Sequence, residues 1–328
     1  MAIGKFWGRL GKWPRIIIIA LFVGGLFLIG RLFFGTGKPE VVLYPEALWS
    51  IGGHIEEGRA VGGFPITNTM LGAWLTIIVL GLLMFFATRK MKLVPRGVQN
   101  VMEAAIEGLG NFVDSVAGKE NGRKFFPVLA TIFFFVLFNA WLSLVPGFMS
   151  IGIKELNKEG ESILVPLLRG ANTDINVPLV LALVSCVFVE FWGLRTLGPR
   201  YLNKFFNGSR MMASMKQIAR GKVKGAFGGL MYGIIDMFVG FIELMSEFIR
   251  IVSFTFRLFG NMMAGEILVF SMIFLLPWLI PVIFYGLELF VGLIQSIIFF
   301  GLTLVFVSMA VTPHGEHEEG HKEHNELT

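Results

Sequence analysis

From Ala226 to Val311 the chain is almost continuously apolar. Hydrocarbon offers the backbone no hydrogen-bond partner, so a segment of this kind crosses a bilayer as an α-helix, in units of about 20 residues. The run is too long for one crossing, and Pro277 and Pro281 in "LLPWLIP" predict a hairpin tip within it. Three shorter blocks read as further spans: Met70 to Ala87, Phe125 to Leu144 and Val177 to Leu194. A fifth candidate, Ile16 to Phe34, follows the basic start Lys5, Arg9, Lys12, Arg15. Without a small-residue cleavage site it reads as an uncleaved anchor. With 55% hydrophobic and 16% charged residues, the expected fold class is an all-α integral membrane protein of about five to six membrane helices.

The basic residues set the sides. Arg89, Lys90, Lys92, Arg96, Arg123 and Lys124 follow the second span, and Arg195, Arg200, Lys204, Arg210, Lys216, Arg220, Lys222 and Lys224 follow the fourth. Both loops are expected on the cytoplasmic side, with residues 36–68 and 148–174 facing outward and both termini cytoplasmic. Topology thus accounts for the net charge of +5, which carries no nucleic-acid signature. Residues 95–116 place Val98, Val101, Met102, Ala105, Ile106, Leu109 and Phe112 at helical spacing, with Glu103, Glu107, Asn111 and Asp114 on another side. This predicts an amphipathic helix lying along the interface. The expected organisation is an N-terminal anchor or uncleaved signal over 1–36, a membrane domain over 37–312, and a polar, disordered tail over 313–328. Such a tail accounts for His314, His317, His321 and His324 without a metal, and the lone Cys186 reads as a packing residue.

Against this background "FTFRLFGNMMAGE", Phe254 to Glu266, stands out. At about 100° per residue, Glu243, Ser246, Arg250, Ser253, Arg257, Asn261 and Ala264 share one face. Glu266, nine residues beyond Arg257, points the opposite way. An arginine keeps its proton at any physiological pH and is costly in lipid unless it has a carboxylate or water beside it. It cannot relay protons; it can act as a fixed positive charge that blocks cations. Beyond the tip, Glu288 and Gln295 lie seven apart on one face, with Ser296 and Thr303 nearby. A hairpin would bring Glu266 and Glu288 to similar depth. Two carboxylates with Asn and Gln beside a fixed cation read as an ion route.

At these residues the chain resembles subunit a of the rotary F-type ATP synthases. The resemblance is carried by "RLFGNMMAGE" at 257–266, "IELMSEFIRIVSF" upstream and "LELFVGLIQSIIFFGLTLVFVSMA" at 287–310. "VPRGVQNVMEAAIEGLGNFVDSVAG" at 94–118, "GRKFFPVLATIFFFVLFNAWLSLVPGF" at 122–148 and "TDINVPLVLAL" at 173–183 extend it to roughly residues 70–312. It implies a non-catalytic stator subunit of a bacterial inner-membrane complex. The last two helices would be long and tilted against a ring of c subunits, each with one carboxylate. Its other implied partners are the peripheral-stalk subunit b, the remaining ATP synthase subunits and the lipid bilayer, with no cofactor. It assigns Arg257 the part of the essential arginine, which keeps the passing ring carboxylate deprotonated and separates two aqueous half-channels. Glu266 and Glu288 fall where ionisable residues of the outward half-channel stand; many members have one His in this pair. Gln295 and Asn261 match polar positions near the arginine. Glu243, Ser246, Ser253 and Arg250 match a cytoplasmic-facing route, and Asn139 and Asp174 match polar positions of the middle helices.

Other classes fit the residues less well. A self-contained channel or secondary transporter would need a complete pathway and usually repeated halves, and no internal repeat is present. A voltage sensor would want an arginine at about every third residue, whereas Arg250 and Arg257 are seven apart. An intramembrane zinc protease would need a motif such as HExxH within a span, and none of the spans has one; nor does the chain contain a GxxxxGK[ST] phosphate loop.

Overall fold

The computed structural model describes residues 44–56, 59–145, 151–156, 162–199, 201, 205, 223–275 and 280–312. The anchor expected over Ile16–Phe34, most of the basic loop after the fourth span, and the tail lie outside the described residues, as does Pro277. Five helices dominate: α1 (Asn68–Thr88), α2 (Val98–Ser143), α3 (Asn176–Leu197), α4 (Val223–Leu275) and α5 (Ile280–Val311). All five are long and apolar enough to cross a membrane. The 21 residues of α1 make a helix of about 32 Å, close to the hydrocarbon thickness. The 53 residues of α4 reach about 80 Å, far more than an upright crossing needs. The all-α membrane class holds, and two helices, α4 and α5, occupy the long apolar run, with the expected tip at residues 276–279 outside the described residues.

α2 contains two of the predicted elements. Its backbone leaves helical geometry at Gly118 (φ 74, ψ 157), a region open essentially to glycine alone. The break separates the amphipathic segment from the span that follows. In the first part Met102 and Val113 are buried, while Val98, Val101 and Phe112 stay exposed, as suits a helix lying along lipid headgroups.

The chain divides into two compact units. One takes in the chain up to Trp74, Asn139–Asp174 and Gly260–Ile294. Strand β1 (Ala47–Ile51) pairs antiparallel with β4 (Phe64–Thr67), and β2 (His54–Glu56) pairs with β3 (Arg59–Val61) at its tip. A second hairpin joins β5 (Gly152–Leu156) to β6 (Ser162–Pro166). The segments read from sequence as outward loops therefore carry short strands. Asn68 N donates to Glu46 O at 3.0 Å, and the Thr67 hydroxyl accepts from Met70 N at 3.3 Å, so the first hairpin caps α1. Here α2 and α5 approach closely at Gly292: a Cβ there would come 2.9 Å from the Ala140 Cβ. The Trp141 indole donates to Leu289 O at 3.0 Å.

The other unit holds Leu75–Phe138, Ile175–Phe259 and the chain from Gln295 on. Its core is aromatic. Phe125 packs edge-on against Trp192 and Phe188, and Phe300 lies between Phe112 and Phe133. α4 meets α5 through Phe254, whose ring lies 4.9 Å from that of Phe299. The Thr303 hydroxyl donates to Phe299 O, so in its 2.8 Å contact with Ser185 the serine must donate, tying α3 to α5. Past α3, the Tyr201 hydroxyl donates to Glu190 Oε1 at 3.2 Å, and its ring fills the space that a Cβ at Gly193 would need. Burial, then the Glu190 charge, push this phenol above its ordinary range.

Candidate functional site

The polar face of α4 turns away from the chain's own packing. In the unit containing Phe259, Ser246 and Ser253 are exposed and Glu243, Arg250 and Arg257 are partly exposed. Leu258, Phe254 and Thr255, on the other side of the helix, are buried. Arg257 Nη2 lies 3.4 Å from the Ser253 hydroxyl, with its guanidinium 5.7 Å from the Phe254 ring centre. Among the described residues no carboxylate lies within ion-pair range of Arg257. Arg250 is placed differently. Its Nη1 lies 2.7 Å from Glu247 Oε2, and its guanidinium sits 3.8 Å from the Phe306 ring centre. Glu247, which the helical phase sets off the polar face, is thus the buried partner of Arg250. Gln295, Ser296 and Thr303 are buried in the same unit. Asn261, in the other unit, is exposed.

In the unit containing Glu266, a cavity of about 130 Å³ opens between α2, α4 and α5. Ser143, Thr173, Met262, Glu266, Tyr285 and Glu288 are among its lining residues. That is room for several waters, with polar groups to hold them. The two glutamates that the hairpin argument set at similar depth do meet in one space. Glu288 is buried, 7% exposed, against Gly265, where any Cβ would overlap its carboxylate. Glycine at 265 is therefore what leaves room for a carboxylate on the facing helix.

Glu266 has a partner the sequence reading missed. Arg169 Nε lies 3.2 Å from Glu266 Oε1, with the two side chains only 4% and 14% exposed. Arg169 sits in the turn between β6 and the 3-10 turn Ala171–Thr173. A signal was available. Arg169 is a lone arginine beside the span start in a segment the charge bias puts outside, where basic residues are scarce. Nearby, Asn139 Oδ1 accepts from Asn172 N at 3.1 Å, and Asp174 Oδ2 accepts from the Thr69 hydroxyl at 3.1 Å. Asn139 and Asp174 are both buried, and here they tie the turn to α2 and α1. No group of His, Cys, Asp and Glu suited to a metal occurs among the described residues.

Comparison with known proteins agrees with this architecture. Residues 70–308 match the family described as ATP synthase A chain. ATP synthase subunit a of Helicobacter hepaticus is 31% identical over 243 residues, covering 74% of this chain and 89% of that protein. The subunit a of a Nitratiruptor species is 30% identical over 252 residues, covering 76% and 91%. That of Helicobacter pylori is 30% identical over 249 residues, covering 75% and 90%. Family match and helical architecture agree, and the chain belongs to the ATP synthase A chain family, as a multi-pass, all-α subunit of the proton-transporting membrane sector.

Proposed function

We propose that this chain is the stator half of the proton-driven rotor, supplying two offset aqueous half-channels that load and unload carboxylates on a ring of c subunits. The observation that carries this reading is the setting of Arg257. It lies on a partly exposed face of α4 in its unit, without an acid partner among the described residues. An arginine left so in a membrane helix costs at least about 2.5–3.5 kcal/mol, and an acid supplied by another subunit offsets that cost. The Glu266–Glu288 cavity serves the outward half-channel, with Gln295 and Asn261 as polar neighbours of the route. Glu243, Ser246 and Ser253 serve the cytoplasmic one. Arg250, clamped between Glu247 and Phe306, supports that helix face. The charge bias of the loops sets both termini on the cytoplasmic side of a bacterial membrane.

In this mechanism a proton enters by the outward cavity and neutralises a ring carboxylate, which then leaves Arg257 and rotates into lipid. The membrane potential contributes about 2.3 kcal/mol per charge per 100 mV. Arg257 takes the place of the lost proton's charge when the acid returns ionised, and repels any proton moving straight through. ATP chemistry and the peripheral-stalk subunit b lie outside this chain.

Arg257→Ala in vesicles carrying the whole complex is the test. ATP-driven proton pumping should vanish while the complex remains assembled. Full pumping by the assembled variant would overturn the proposal.

A further inference from the structure

The two glutamates of the cavity stand in different surroundings. Glu266 Oε1 faces Arg169 Nε at 3.2 Å. The arginine is anchored at its other end: Nη1 donates to Tyr44 O at 3.3 Å and Nη2 reaches Met263 Sδ at 3.5 Å. Its backbone is held as firmly. Gly72 of α1 presses on the Arg169 carbonyl so closely that a Cβ at 72 would overlap it. A Cβ at Gly170 would come 2.9 Å from the Ser143 Cβ of α2. Glu288, by contrast, has no basic side chain within ion-pair range among the described residues, and opens on the same cavity opposite Gly265.

Resting on the reading of this cavity as the outward half-channel, we propose that Arg169 is a positioning residue that pins Glu266, dividing the pair into an anchored carboxylate and an exchanging one, Glu288. The division follows from charge accounting in a confined space. Two adjacent carboxylates repel, and a fixed guanidinium beside one of them settles which stays ion-paired. The other lines the same cavity without a basic side chain among the described residues to hold its charge. The charged and titratable groups lining this space or touching Glu266 are Arg169, Glu288 and Tyr285. A purely architectural arginine, bracing the Tyr44 segment against Met263, is the competing account.

Charge coupling separates the two. In intact ATP synthase in vesicles, Arg169→Gln leaves Glu266 unpaired, and ATP-driven pumping should slow roughly tenfold to a hundredfold. Adding Glu266→Gln neutralises the pair, and pumping should return to within roughly tenfold of wild type, since removing both members of a buried pair costs far less than removing one. Glu288→Gln should be at least as slow as Arg169→Gln, with or without the neutralised pair. If the double variant is no faster than Arg169→Gln alone, the inference is overturned. Where Arg169→Gln does not assemble, assembly becomes the readout: an assembled, pumping double variant supports the pairing, and a double variant that also fails to assemble overturns it. Pumping by Arg257→Ala would instead strike at the proposed function, so the two failures are distinguishable.

Discussion

At Gly265 a hydrogen atom stands where any other residue would carry a carbon overlapping the Glu288 carboxylate. The glutamate must then give way, and it is already buried. Gly265→Ala should therefore displace Glu288 and slow ATP-driven pumping, while lowering the stability of the solubilised complex by about 1–3 kcal/mol, the usual cost of overpacking. Gly260, five residues before it on the same helix, has open space at its Cβ position. Gly260→Ala should leave stability unchanged or slightly raised. Thermal unfolding of the two complexes side by side checks the contrast. Equal losses at both positions would mean that helix flexibility, not room for a carboxylate, is what glycine supplies here.

Among the elements, α2 shows how one residue divides two environments. Its first part is amphipathic and its second an apolar block long enough to cross a membrane, and the turn between them uses a backbone conformation in which a Cβ is strained. A Cβ at Gly118 meets no neighbour within 4 Å, so the cost of Gly118→Ala is conformational alone, about 1–3 kcal/mol. Less chain should reach the membrane as assembled complex, and pumping per assembled complex should stay normal. Reduced pumping per complex would show that the angle itself matters to the route. Both halves of α2 were legible in sequence, because one carries a 3.6-residue apolar stripe and the other a continuous apolar block. The strands were not. Segments of three to five residues, such as "ALWSI" and "FPIT", give no signal in a search for 20-residue blocks, although Trp49 and Ile51 stand exposed beside buried Ser50 in the alternation of a half-buried strand. Arg169 was missed for a related reason: its partner comes from α4, far along the sequence, and only tertiary packing makes them a pair. Glu247 differs: it stands three residues from Arg250 on the same helix, a local spacing at which side chains meet.

For the molecule as a whole, the question is which of its exposed faces meet lipid and which meet protein. Two stand in contrast. Ile77, Ile78, Leu82 and Phe85 of α1 form an exposed surface without a charge, as a lipid-facing helix requires. The exposed side of α4 also carries apolar residues, Phe248, Ile249, Val252 and Phe256, but Ser246, Ser253 and Arg257 share it; in the other unit Ala264 of the same helix is exposed as well. Small and polar residues in a membrane helix mark close approach by another helix. Bulk added to such a face collides with a partner, whereas bulk added to a lipid face displaces only acyl chains. Ser246→Trp and Ala264→Trp should therefore leave insertion and the chain's own fold intact, because neither side chain is buried within it, yet cut coupled pumping by roughly tenfold or more. Ile78→Trp, an enlargement on an equally exposed position, should pump as wild type. The comparison is made per assembled complex, by proton pumping and by ATP hydrolysis in the same vesicles. A rotor face predicts that hydrolysis and pumping fall together or uncouple at the two α4 positions alone. Wild-type pumping at both would mean that this side of α4 faces lipid, and Arg257 would then need a different partner from a passing acid.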